Sequence, residues 1–132
     1  MEIKKQLSVF MENKPGNLAK FCTILQDANI DLLGISVTDA VDHAVIRVVV
    51  NEHEKCFHLL GDMGIVVIES DILLLELAHK PGELKKISQI LSQESINIDY
   101  IYGSGIQNNG KAILFLKVSN AQKAFEMIKK YN

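Results

Sequence analysis

The stretch Asn13-Lys14-Pro15-Gly16-Asn17-Leu18 decides the fold of this chain, because it returns 66 positions later as His79-Lys80-Pro81-Gly82-Glu83-Leu84. In both copies an apolar run leads into Lys-Pro-Gly and a helical pattern leaves it. We name residues 13–18 the first corner and residues 79–84 the second corner. Each corner is predicted to join a strand to a helix, and the duplication predicts two similar units.

The first unit begins with a strand in which Leu7, Val9 and Met11 lie on one face. A helix is predicted from about Pro15 to Ala28, because apolar residues follow at i, i+3, i+4 and i+7. These apolar residues are Leu18, Phe21, Cys22 and Leu25. Pro15 is predicted at the first helical position, where its missing N–H costs nothing.

The rest of the first unit continues with a strand over 30–37, a polar loop over 38–43 and a β-branched strand over 44–50. A helix is predicted around 53–60, and a last strand at 65–68. The order is β-α-β-β-α-β. We therefore expect two ferredoxin-like units, residues 1–70 and residues 71–132.

The second unit repeats this pattern, with a first strand at 72–77 and a tight hairpin at Asn108-Asn109-Gly110-Lys111. After a closing helix near 121–130 too few residues remain for a fourth strand. The second unit thus lacks its own last strand, and open edges are normally covered or paired. We expect the slot to be filled either by the stretch 65–77, shared between the units, or by a strand of a second chain. The fold class is α+β: two βαββαβ units packed together, with antiparallel sheets and helices on one face.

Composition excludes several classes of protein. The 132 residues carry a formal net charge of -2, with 48% hydrophobic and 23% charged residues, so no basic excess favours nucleic acid. The N-terminus lacks the apolar segment of a signal peptide, and acidic residues interrupt the longest apolar run. The sequence predicts a cytoplasmic protein that does not interact with membranes or nucleic acid.

Catalysis requires a nucleophile, a base and an orienting group, and the sequence offers no such set. Cys22 and Cys56 lie on apolar helical stripes and are predicted to be core residues. His53 and His58 are five positions apart, which does not favour a metal site. We expect neither enzymatic activity nor a cofactor or metal. RNA binding of the kind seen in RRM modules is disfavoured, because the third strands offer one aromatic residue, Phe115.

The duplicated corner, the helix pattern L-x-x-[FI]-x-x-[IL]-L after it, and the following I-[DN]-[IL] resemble ACT domains over essentially the whole chain. The closest resemblance is to small stand-alone proteins of two ACT domains in tandem. It implies a non-catalytic regulatory module that binds a small ligand, usually an amino acid, at the interface between ACT units near the Lys-Pro-Gly corners. It also implies a homodimer.

The resemblance implies that the ligand site is built from the corners and from the turns that enter the second strand of each unit. The implied ligand-binding residues are Asn13, Lys14, Pro15, Gly16, Asn17 and Leu18 of the first corner, His79 and Gly82 of the second, and Asp31 and Asn97 at the two turns. The start of a helix suits a carboxylate, because it presents unpaired N–H groups and the positive end of the dipole.

Several positions depart from the serine-binding members of the family. Those members have asparagine where this chain has Asp31 and His79, and histidine where it has Met11. The alternative interpretation is therefore a structural or adaptor module that dimerises or docks onto a partner enzyme or transcription regulator without a ligand. At the corners themselves, the alternative role of the polar residues is to cap a helix or a turn. A hybrid site of Asn13 from one unit and Asn97 from the other is also open. The neutral flanks of the first corner favour it over the second, where Glu83 would repel a carboxylate.

Overall fold

The computed structural model describes residues 1–40, 42–106 and 109–131, and within them the chain forms six strands and four helices. In chain order these are β1 (Glu2–Glu12), α1 (Asn17–Asp27), β2 (Leu32–Asp39), β3 (His43–Val50), α2 (His53–Asp62), β4 (Val66–Ala78), α3 (Glu83–Gln93), β5 (Ile98–Ile106), β6 (Lys111–Val118) and α4 (Ala121–Lys130). The predicted βαββαβ order is confirmed for the first unit. The strands expected at 65–68 and 72–77 are one continuous strand, β4, because no Gly or Pro interrupts the residues between them.

The first compact unit comprises Lys5–Ser70. Its strands lie in the order β2-β3-β1-β4, and β3 is antiparallel to both β1 and β2. Val9 faces Ile46 in the β1–β3 register, and both belong to the core that α1 and α2 cover. The edge strand β2 pairs Ile35 with Val48 in the same sheet.

Helix α1 buries a narrower face than its periodicity predicted. Phe21 and Leu25 are buried, but Leu18 is 45% exposed and Cys22 is also exposed. The prediction that Cys22 is a core residue is therefore wrong, because it lies on the flank of the apolar stripe. The corresponding prediction for Cys56 is confirmed: it is fully buried in the core of this unit.

The second compact unit comprises Met1–Lys4 together with Asp71–Asn132. Its strands lie in the order β1-β4-β6-β5, with antiparallel pairing of β6 to both β4 and β5. The start of β1 thus fills the slot of the missing last strand, and Ile3 packs against the core of this unit. The sequence predicted that the slot is filled by the stretch 65–77 or by a second chain. Both expectations are wrong, because residues 1–4 of the same chain fill it.

The hairpin between β5 and β6 carries Gly110 at φ 75°, a conformation that the predicted Asn-Gly turn requires of its glycine. Asn109 Oδ1 accepts a hydrogen bond from Lys111 N at 3.0 Å. Asn108, the other asparagine of that prediction, lies outside the described residues.

The helices of the described part of the chain have ten or eleven residues, and none is long and apolar enough to cross a membrane.

Candidate functional site

The first corner is a tight turn that ends at the start of α1. Lys14 O accepts a hydrogen bond from Asn17 N at 3.3 Å, and Gly16 has φ 90° and ψ -12°. These are the features of a type II β-turn with Pro15 at its second position and Gly16 at its third. The prediction that Pro15 is the first helical residue is therefore wrong. The left-handed conformation of Gly16 delays the helix until Asn17.

The second corner repeats this backbone closely. Gly82 has φ 93° and ψ -11°, and its carbonyl accepts from Lys86 N at 3.1 Å, as Gly16 O accepts from Lys20 N at 3.0 Å. A Cβ atom built on either glycine would meet nothing within 4 Å. The space beside both turns is therefore open, and glycine is required there by the positive φ rather than by crowding.

The polar side chains of the first corner bond to neighbouring strands. Asn13 Nδ2 donates to Asp39 Oδ1 at 2.5 Å, and Asn17 Nδ2 donates to the carbonyl of Glu12 at 2.6 Å. No side chain in the described part of the chain caps α1. The alternative prediction that Asn13 caps this helix is therefore wrong, since its amide is bonded to Asp39 instead.

An exposed ion pair stands beside the first corner, with Lys14 Nζ 2.7 Å from Glu12 Oε2. The hydrogen bond and charge of Lys14 lower the pKa of Glu12, and those of Glu12 raise the pKa of Lys14. The ammonium group of Lys14 is thus already engaged by a carboxylate of its own unit.

At the second corner the acidic group lies on the helix itself. Glu83 Oε1 is 3.5 Å from Lys80 Nζ and 3.7 Å from Lys86 Nζ, and its side chain is 19% exposed. A carboxylate in the first helical turn is favoured by the helix dipole. His79 N donates to the carbonyl of Gly110 at 3.3 Å, which ties the second corner to the neighbouring hairpin.

Asp31 lies just beyond the C-terminal end of α1, and Asn97 lies just beyond the C-terminal end of α3, whereas the corners precede the N-terminal ends. Asn51 Oδ1 accepts from Asp31 N and Ser119 Oγ accepts from Asn97 N, each at 3.0 Å. Because α1 has eleven residues, about 16 Å of helix separates Asp31 from the first corner of its own unit. Within one unit, the structure does not bring these two sets of predicted residues together.

A groove lies at this end of the helix in each of the two units, at equivalent positions. Asp31 and Asn97, which line these grooves, were named from the sequence, but the grooves themselves were not predicted. One, of about 280 Å³, is lined by Cys22, Leu25, Gln26, Asn29, Ile30, Asp31 and Leu32. The other, of about 430 Å³, is lined by Ser88, Ser92, Ser95, Ile96, Asn97 and Ile98. The signal in the sequence was the run of small or polar residues on one flank of each helix.

A third groove, of about 410 Å³, begins at the first corner and follows α1; we name it the corner groove. Its described lining residues are Gly16, Ala19, Lys20, Thr23, Ile24 and Met63. Met63 follows α2, is 53% exposed and contributes a flexible apolar side chain to the lining of the groove. Sequence reasoning missed this groove because it joins two helices that are distant in the chain.

Cys56 and His53 are two further reactive side chains of the first unit. Burial raises the pKa of Cys56 to about 11, so its thiol is protonated at neutral pH and is a poor nucleophile. His53 Nε2 lies 3.7 Å from Glu69 Oε1. Across 1–40, 42–106 and 109–131, no three His, Cys, Asp or Glu side chains are grouped so as to hold a metal ion.

Comparison with solved structures identifies relatives of this fold. A protein from Bacteroides thetaiotaomicron is 31% identical, with a TM-score of 0.90, and the match covers 98% of this chain and 88% of that one. The regulatory subunit of aspartate kinase from Thermus thermophilus is 15% identical with a TM-score of 0.69, covering 98% and 97%. An aspartate kinase from Clostridium acetobutylicum is 19% identical with a TM-score of 0.61, covering 96% of this chain and 33% of the enzyme.

No curated protein matches the chain. The family described as the ACT domain pair matches residues 1–132, the full length of the sequence. The two ferredoxin-like units and their duplicated corners agree with that match. The chain therefore belongs to the ACT domain pair family.

Proposed function

We propose that this protein is a non-catalytic regulatory module that binds a small ligand, an amino acid, at its first corner. The observation that carries the proposal is the turn at Gly16, which starts α1 without a side-chain cap and leaves open space beside the glycine. A ligand carboxylate is favoured at such a helix start by the free N–H groups and the dipole. We also propose that the module consists of the two domains expected from the sequence, residues 1–70 and residues 71–132.

The first corner is the better ligand site because its side chains leave the helix start electrically neutral. Asn17 is uncharged and bonds back to β1, whereas Glu83 places a carboxylate at the equivalent position of the second corner. Lys14, Pro15 and Gly16 shape the turn, Asn13 holds it to β2 through Asp39, and the exposed Leu18 borders it. In this proposal His79 and Gly82 form the weaker second site.

We further propose a homodimer, since the edge strand β2 exposes large apolar side chains. Leu33, Ile35 and Val37 are 47%, 40% and 51% exposed. An apolar edge strand without Lys or Pro presents unpaired backbone N–H and C=O groups to which a strand of another chain can pair. A second copy would also supply the residues that lie too far away within one unit, so that Asp31 or Asn97 of one copy approaches Asn13 of the other.

Thermal unfolding in the presence of each of the twenty amino acids at millimolar concentration tests the proposal. Binding to the native state alone stabilises it by about 2.7 kcal/mol at a ligand concentration of 100 Kd, so at least one amino acid should raise Tm by several degrees. Asn13→Ala should reduce that shift more than His79→Ala, which makes the same kind of change at the weaker second site. If no amino acid shifts Tm, the proposal is wrong.

The second candidate is an adaptor that docks onto a partner enzyme or regulator without a ligand. The same exposed apolar edge of β2 favours it, together with the departures at Met11, Asp31 and His79 from serine-binding ACT domains. Pull-down experiments with and without added amino acids separate the two functions. A partner retained equally in both conditions supports the adaptor, whereas one that responds to an amino acid supports the regulatory module.

A further inference from the structure

We draw no further inference here: the strongest candidate, the apolar surface patch of Val66 and Ile68 at alternate positions of β4, is 62% and 54% exposed, but nothing in the described part of the chain shows what covers it.

Discussion

Replacing Gly16 by alanine isolates the energetic cost of the turn that starts α1. Gly16 has φ 90°, and an added Cβ would meet nothing within 4 Å, so no clash contributes. Holding a non-glycine residue in this region costs about 1–3 kcal/mol, and the smaller entropy of the unfolded alanine chain offsets about 0.4–1 kcal/mol. We expect Gly16→Ala to lower the free energy of unfolding by about 1–2 kcal/mol.

The duplication provides an internal repeat of this experiment. Gly82 has φ 93° and equally open surroundings, so Gly82→Ala should cost about the same as Gly16→Ala. Gly61 is the control, because it lies within α2, has no positive φ and also has open space around its Cβ position. Gly61→Ala should instead stabilise the protein by up to about 1 kcal/mol, since alanine is the better helix former.

Urea unfolding followed by circular dichroism measures all three changes, and a constant m-value shows that the surface exposed on unfolding is unchanged. In thermal unfolding the corner variants should lose about 3–8 °C. The reasoning is refuted if Gly16→Ala is as stable as the wild type, or if it shifts in the same direction as Gly61→Ala. A difference of more than about 1 kcal/mol between Gly16→Ala and Gly82→Ala would show that the two corners are not energetically equivalent.

Two further predictions concern the second unit and the buried thiol. Ile3→Ala should lower the free energy of unfolding by about 1–2 kcal/mol, because it removes a partly buried group from the second core. Hydrogen exchange should then accelerate in 71–78 and not in 43–50, and the exposed-site change Glu2→Ala should have no such effect. Burial raises the pKa of Cys56 to about 11, so the folded state retains this proton longer than the unfolded state. That contribution to stability is complete below about pH 8.5 and is lost as the pH rises towards 11. Wild type should therefore lose stability more steeply than Cys56→Ala in that range, and equal slopes would contradict the assignment.

The sequence predicted the architecture well where the evidence was repeated or periodic. The duplicated Lys-Pro-Gly stretch placed both corners between a strand and a helix, and the alternation of Leu7, Val9 and Met11 identified the core face of β1. Local preference misled the prediction at Pro15. Proline suits both the first helical position and the second position of a type II turn, and Gly16 decided between them in favour of the turn.

Long-range pairing and side-chain placement could not be predicted from local patterns. Nothing near Ile3 indicates that it packs with residues beyond 70, since that contact depends on the sheet of the second unit. Cys22 has the spacing of a core residue but lies on the flank of the stripe and is exposed, whereas Phe21 and Leu25 are buried. For the candidate site, the corners were located from sequence, but their separation from Asp31 and Asn97 follows from the length of the helices.

The placement of residues 1–4 in the second unit has a consequence for folding during synthesis. These residues leave the ribosome well before the strand segment 71–78 of the same unit, which is made about seventy residues later. At 5–20 residues per second, the delay is about 4–14 s. Throughout this interval residues 5–70 can already be collapsing, while the four residues attached to them still present an unpaired edge. A nascent chain stalled before residue 80 would expose that edge to other proteins.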